Sequence, residues 1–229
     1  MRLCFLGSDA RLEYLRSHAS AGVTLCNMAD FQCSVARPSS VESRCEELSL
    51  ALWVVEQAVE AERRGFDAVI TGCFSDPGVD PARERVTIPV IGPGETALNT
   101  ARMLATHFSV VTPLPETVPL AREQVHKTGV NTFIASIVSF DLPVEAIREN
   151  NPATIARLVE VCRACVEDDG AEAIVCGCAS MSLLADEIAA QVGVPVLNSV
   201  RLSLRAAEML VGAGLTHSKK TFPMPAKLK

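Results

Sequence analysis

The sequence lacks an excess of positive charge, a long apolar run and any histidine spacing suited to a metal. Its formal net charge is -6, which argues against nucleic acid, a partner that calls for a clustered basic surface. No stretch approaches the roughly 18 to 20 apolar residues of a membrane-crossing helix. The opening Met1-Arg2-Leu3-Cys4-Phe5-Leu6 turns polar at Gly7-Ser8-Asp9, too short for the apolar segment of an export signal. His18, His107, His126 and His217 are scattered. Cys162-Arg163-Ala164-Cys165 is a single CxxC inside a helical pattern; a structural zinc site needs a second pair, and a redox motif belongs at a helix start after a strand. No metal is expected.

What the chain does have is cysteine, nine in 229 residues. The number is odd, several fall in apolar strand patterns, and no export signal accompanies them. Reduced thiols in the cytoplasm are the expectation. An apolar fraction of 48% is that of a globular domain with a sizeable core.

Two of the cysteines belong to an internal repeat. Gly65-Phe66-Asp67-Ala68-Val69-Ile70-Thr71-Gly72-Cys73-Phe74 returns 105 positions later as Gly170-Ala171-Glu172-Ala173-Ile174-Val175-Cys176-Gly177-Cys178-Ala179. Each copy follows a helical pattern and reads as a buried strand ending in Gly-Cys. After a further helical pattern each leads to an apolar strand with proline second, Ile88-Pro89-Val90-Ile91 and Val194-Pro195-Val196-Leu197. Such duplication predicts two similar halves, and the alternation of strands and helices predicts parallel, helix-covered α/β architecture. The expected division is 1–95 with 200–215 as a first half carrying Cys73, 96–199 as a second carrying Cys178, and 216–229 as a mobile tail. That tail holds Lys219, Lys220, Lys227 and Lys229 with Pro223 and Pro225. Phe31 to Arg44 has no period and reads as a long loop of the kind that binds ligands.

In parallel sheets ligands gather at the carboxyl ends of the strands, where both repeat cysteines would stand. A single cysteine is most often simply buried. This pair differs in ending equivalent strands, and a thiol leading into a helix can feel the helix's positive end, which favours thiolate. One thiolate and one thiol on opposite faces of a carbon acid make a two-base proton exchanger. The amides of Phe74, Ser75, Ala179 and Ser180, just past the strand ends, are candidate donors to the oxyanion that forms. Thr112, Ser40 and Glu42 are further candidates for substrate contact, each equally readable as a turn or cap residue. Gly92-Pro93-Gly94-Glu95 superficially fits a dinucleotide fingerprint, but it falls on a late strand and Pro93 removes an N–H.

Thr71-Gly72-Cys73-Phe74-Ser75-Asp76-Pro77-Gly78 resembles the first cysteine motif of the hydantoin racemase family, and Gly177-Cys178-Ala179-Ser180-Met181 the second. Pro38-Ser39-Ser40-Val41-Glu42-Ser43 and Ile91-Gly92-Pro93-Gly94-Glu95 are similar to two further segments, so the likeness spans roughly Pro38 to Leu210. The family belongs to the aspartate/glutamate racemase superfamily. The resemblance implies two pseudo-symmetric, Rossmann-like halves with the active site in the cleft between them and one catalytic cysteine from each. It also implies no cofactor, a homo-oligomer, and 5-substituted hydantoins or allantoin as substrates. Two departures bear on the substrate. Gly7-Ser8-Asp9-Ala10 stands where family members often carry an Asn-Pro-Asn-Thr-like segment. Phe74 and Ala179 stand where amino-acid racemases have a threonine after each cysteine, which disfavours free aspartate or glutamate. The rival readings are a maleate-type cis–trans isomerase on the same fold, an arylmalonate-type decarboxylase, which needs only one cysteine, and a non-catalytic small-molecule binding protein.

Overall fold

A computed structural model describes residues 1–149, 151–224 and 226–228. The sequence predicts a short helix from Pro143 to Asn150; its last residue, Asn150, and Pro225 and Lys229 of the tail lie outside the described residues. The first sheet consists of β1 (Arg2–Leu6), β2 (Thr24–Cys26), β3 (Ala68–Thr71) and β4 (Val90–Ile91), in the order β2-β1-β3-β4. The second consists of β5 (Phe108–Thr112), β6 (Ile134–Ser139), β7 (Ala173–Cys176) and β8 (Val196–Leu197), in the order β6-β5-β7-β8. All pairings are parallel. The duplication extends to the register: Leu3 lies opposite Ala68 in one sheet and Phe108 opposite Ala173 in the other. Both β3 and β7 are buried along their whole length, as strands covered by helices on both faces must be.

The helices are α1 (Asp9–His18), α2 (Arg44–Arg63), α3 (Val79–Arg85), α4 (Pro93–Leu104), α5 (Val118–Thr128), α6 (Val144–Arg148), α7 (Pro152–Glu167), α8 (Ala185–Val192) and α9 (Ser199–Gly212). The helix that follows the last strand of each sheet crosses to the other sheet. Ala97, Leu98 and Ala101 of α4 pack with Phe108, Val110 and Val175 of the second sheet. Val200, Leu204 and Ala207 of α9 pack with Leu3, Phe5 and Ile70 of the first. The sequence predicts a helix from Met181 to Ala190; the structure has a 3-10 turn over Ala179–Leu183 and then α8.

The tail departs from the expected mobile end. Thr216 donates its hydroxyl to the Thr87 carbonyl, and the Val90 N–H donates to His217 Nε2 at 3.0 Å. Lys219 Nζ donates to the Arg83 and Val86 carbonyls, each at 2.5 Å, and the Arg83 guanidinium lies 5.4 Å from the Phe222 ring centre. The physical reason is twofold. The edge strand β4 has a free N–H to satisfy, and the carboxyl end of α3 presents unpaired carbonyls that a lysine can cap.

Candidate active site

Both strand ends need glycine before cysteine because the neighbouring backbone leaves no room for a side chain. A Cβ on Gly72 would sit 2.5 Å from the Leu6 carbonyl oxygen, and one on Gly177 2.8 Å from that of Val111. Leu6 ends β1 beside β3, and Val111 is the last but one residue of β5 beside β7, so the same close approach occurs in each half. It delivers Cys73 and Cys178 to the rim of one small cavity of about 70 Å³.

Phe74, Ser75, Thr112, Ala179, Ser180 and Ser40 line that cavity too. The Thr112 hydroxyl is tied to the Thr117 hydroxyl at 2.7 Å. Glu42 is not on the wall. Its carboxylate accepts the Val144 N–H at 2.9 Å, pinning the first-half loop to α6 of the second half. Arg148 Nη2 makes a second tie, donating to the Ser39 carbonyl at 2.7 Å. The loop's far end is held where the Ser43 side chain caps α2 and the Glu46 carboxylate accepts the Glu42 N–H at 2.9 Å.

The two thiols have like surroundings. Burial pushes Cys73 up to about 11, opposed by the Ser75 hydroxyl and N–H and reinforced by Cys178 and Asp76. The Ser75 hydroxyl stands 3.5 Å from Cys73 Sγ. Burial also raises Cys178, opposed by the Ser180 N–H, the Arg11 guanidinium, the Ser180 hydroxyl and the Met181 N–H. The expectation of a thiolate favoured by a helix end is therefore corrected. Desolvation outweighs the amide dipoles in the open cavity, and both thiols are held neutral.

Asp76 explains the dinucleotide-like turn. It is buried at φ 53° and accepts the Gly94 N–H at 2.9 Å, the Glu95 N–H at 2.7 Å and Gln124 Nε2 at 2.5 Å. The amino end of α4, where a phosphate would bind, is thus filled by the protein's own carboxylate. Cys162 and Cys165 are buried in α7. Among the described residues no group of three or more His, Cys, Asp or Glu side chains is arranged to hold a metal ion.

Three arginines on the cavity wall were not singled out from the sequence: Arg11 of α1, Arg37 of the long loop and Arg148 of α6. Arg11 is buried and donates to Ser8 Oγ at 3.1 Å and the Gly72 carbonyl at 3.2 Å. Burial pulls its guanidinium down to about 10, with Cys178 acting in the opposite sense. Arg37 donates to the Gly7 carbonyl at 3.2 Å and lies over the Trp53 ring. Spacing could not have marked them, since an arginine on a helix or loop ordinarily reads as a solvated side chain.

Comparison with known proteins agrees with this geometry. The family model described as Asp/Glu/Hydantoin racemase matches residues 13–207. A hydantoin racemase of Rhizobium meliloti is 36% identical over 216 residues, covering 92% of this chain and 86% of the relative. The structure of an allantoin racemase from Klebsiella pneumoniae superposes with a TM-score of 0.90 at 33% identity, covering 98% of this chain and 94% of that one. An allantoin racemase structure from Pseudomonas fluorescens gives 0.89 at 30% identity, with coverage of 99% and 97%.

Proposed function

This chain belongs to the Asp/Glu/hydantoin racemase family, and we propose that it inverts the ring carbon C5 of a 5-substituted hydantoin or allantoin with Cys73 and Cys178 as its two bases. It is an enzyme of the racemase class, as its hydantoin and allantoin racemase relatives are. The observation that carries the two-base reading is that the two repeat cysteines line one and the same cavity.

The chemistry follows from that placement. Since both thiols are raised by burial, one must first give up its proton to solvent; that thiolate then takes the C5 proton, and the electron pair passes into the neighbouring carbonyl as an enolate. The opposite thiol then returns a proton to the other face, so the product is the enantiomer and the thiol and thiolate have exchanged places. The Ser75 and Ser180 amides and hydroxyls act on the sulfurs of their own cysteines, and the Phe74 and Ala179 N–H groups are left as donors to the enolate oxygen. Thr112 and Ser40 hold the ring edge. Glu42 acts from outside, by fixing the loop.

No cofactor takes part in this scheme. The cysteines are free thiols among the described residues, which fits a reducing cytoplasm. No described helix is long and apolar enough to cross a membrane. A homo-oligomer is supported by α4 and α9, which pack together and leave Met103, Leu104 and Met209 exposed; light scattering would give the subunit number. The test of function is to incubate single enantiomers of hydantoins and allantoin in deuterated water. Loss of optical rotation with deuterium at C5 supports the proposal. Absence of C5 exchange in every compound contradicts it.

A further inference from the structure

The wall of the cavity carries three guanidinium groups, and its lining includes no aspartate or glutamate. Among the described residues neither Arg11 nor Arg37 forms an ion pair. Arg11 is committed to the Gly72 carbonyl and the Cys178 side of the cavity. Arg37 and Arg148 line the cavity on its exposed side; Arg37 is without an ion pair among the described residues, and Arg148 has only a long one. Arg37 is open to solvent on one side, yet desolvation and the Arg148 charge both push its pKa down. Cys73 and then Asp9 act on Arg37 in the opposite sense, and the Asp9 Oδ1 accepts from Asn27. The Arg148 side chain reaches Glu145 only at 3.9 Å.

Two like charges held against each other at a cavity mouth cost free energy until an anion joins them. A planar guanidinium suits a carboxylate in particular, which it can grip through two parallel hydrogen bonds. The arrangement also answers a chemical need. A carboxylate on the C5 substituent opposes removal of the C5 proton by adding negative charge beside the forming enolate, and nearby cations relieve that opposition.

We infer that the substrate bears a carboxylate on its C5 substituent, and that Arg37 and Arg148 bind it at the mouth while the ring lies between Cys73 and Cys178. The inference rests on the racemase reading and narrows its substrate to hydantoins with an acidic side chain.

The test compares 5-carboxymethylhydantoin with its neutral isostere 5-carbamoylmethylhydantoin, with C5 exchange in deuterated water as the readout. The acid should be favoured in kcat/KM by about tenfold or more, the low end of what a hydrogen bond to a charged group contributes. Arg37→Gln and Arg148→Gln should each bring that ratio towards unity, chiefly through KM for the acid. Equal rates for the two compounds, or a ratio unmoved in both variants, overturn the inference. A second measurement is independent of turnover: succinate should slow iodoacetamide labelling of Cys73 and Cys178 in the parent chain and not in the two variants. If no hydantoin exchanges yet succinate protects, the anion site stands and the racemase reading fails. If hydantoins exchange without preference and succinate gives no protection, the racemase stands and the anion site fails.

Discussion

Arg11 of the first half acts electrostatically on Cys178 of the second: the guanidinium draws the thiol's pKa down while the sulfur draws the guanidinium's up. Cys73 acts in the same sense but more weakly on Arg11, and also on Arg37, while Cys178 and the nearby Asp76 carboxyl push its own pKa further up. The pair is therefore asymmetric, with Cys178 the easier of the two to ionise. Labelling of Cys178 by iodoacetamide, followed by peptide mass spectrometry, should begin at lower pH than labelling of Cys73, whose ionisation lies near 11. In Arg11→Gln the Cys178 curve should move to higher pH, because a cation that favours the thiolate has gone. An unmoved curve would assign Arg11 a packing role only.

Alkaline pH should destabilise the fold. Burial pushes the core thiols Cys4 and Cys162 up to about 12 from an ordinary 9. A folded-state pKa above the unfolded one means that the native state holds the proton more tightly, so the contribution is whole below pH 9 and is lost as pH rises towards 12. Denaturant midpoints measured across that window should fall steadily, and less steeply in Cys162→Ala.

The glycines before the cysteines should tolerate nothing larger. Gly72→Ala puts a methyl group 2.5 Å from the Leu6 carbonyl, and Gly177→Ala puts one 2.8 Å from that of Val111. Neither neighbour is the flexible end of a side chain, so a strand must shift. We expect a loss of about 1–3 kcal/mol in stability, and a larger proportional loss of racemisation because the sulfur moves with the strand end. Thermal melting and C5 exchange on the same samples separate the two effects.

Asp76 should matter to stability more than to chemistry. Asp76→Ala leaves the Gly94 and Glu95 N–H groups and the Gln124 amide without their acceptor, at a cost of about 1–3 kcal/mol for the orphaned buried donors. Chemical denaturation would register it. An unchanged midpoint would mean that water replaces the carboxylate fully.

The parts of this molecule legible in its sequence are those that repeat. The strand ending in Gly-Cys is written twice, so the two sheets and the common destination of Cys73 and Cys178 could be anticipated from pattern alone. What escaped notice arises from contacts between distant segments. Arg11, Arg37 and Arg148 come from a helix, a loop and a short helix of the other half, and only folding brings them to one wall. Glu42 looked like a substrate ligand because it lies in the binding loop, but α6 supplies an N–H in the way. The lysines and prolines of the tail suggested mobility; the edge of β4 and the end of α3, remote in sequence, give Thr216 to Phe222 somewhere to bind. The thiol ionisation is hidden for a related reason: a local helix end is visible in sequence and the desolvation that outweighs it is not.

The most direct test of two-base racemisation is C5 exchange in deuterated water with Cys73→Ser and Cys178→Ser, starting from each enantiomer of a hydantoin that the parent chain turns over. Each variant should lose racemisation by a factor of about a thousand or more, in line with removal of an essential acid or base, while each should keep exchange without inversion from the one enantiomer whose C5 proton faces the surviving thiol. Racemisation at the parent rate in either variant would contradict the account.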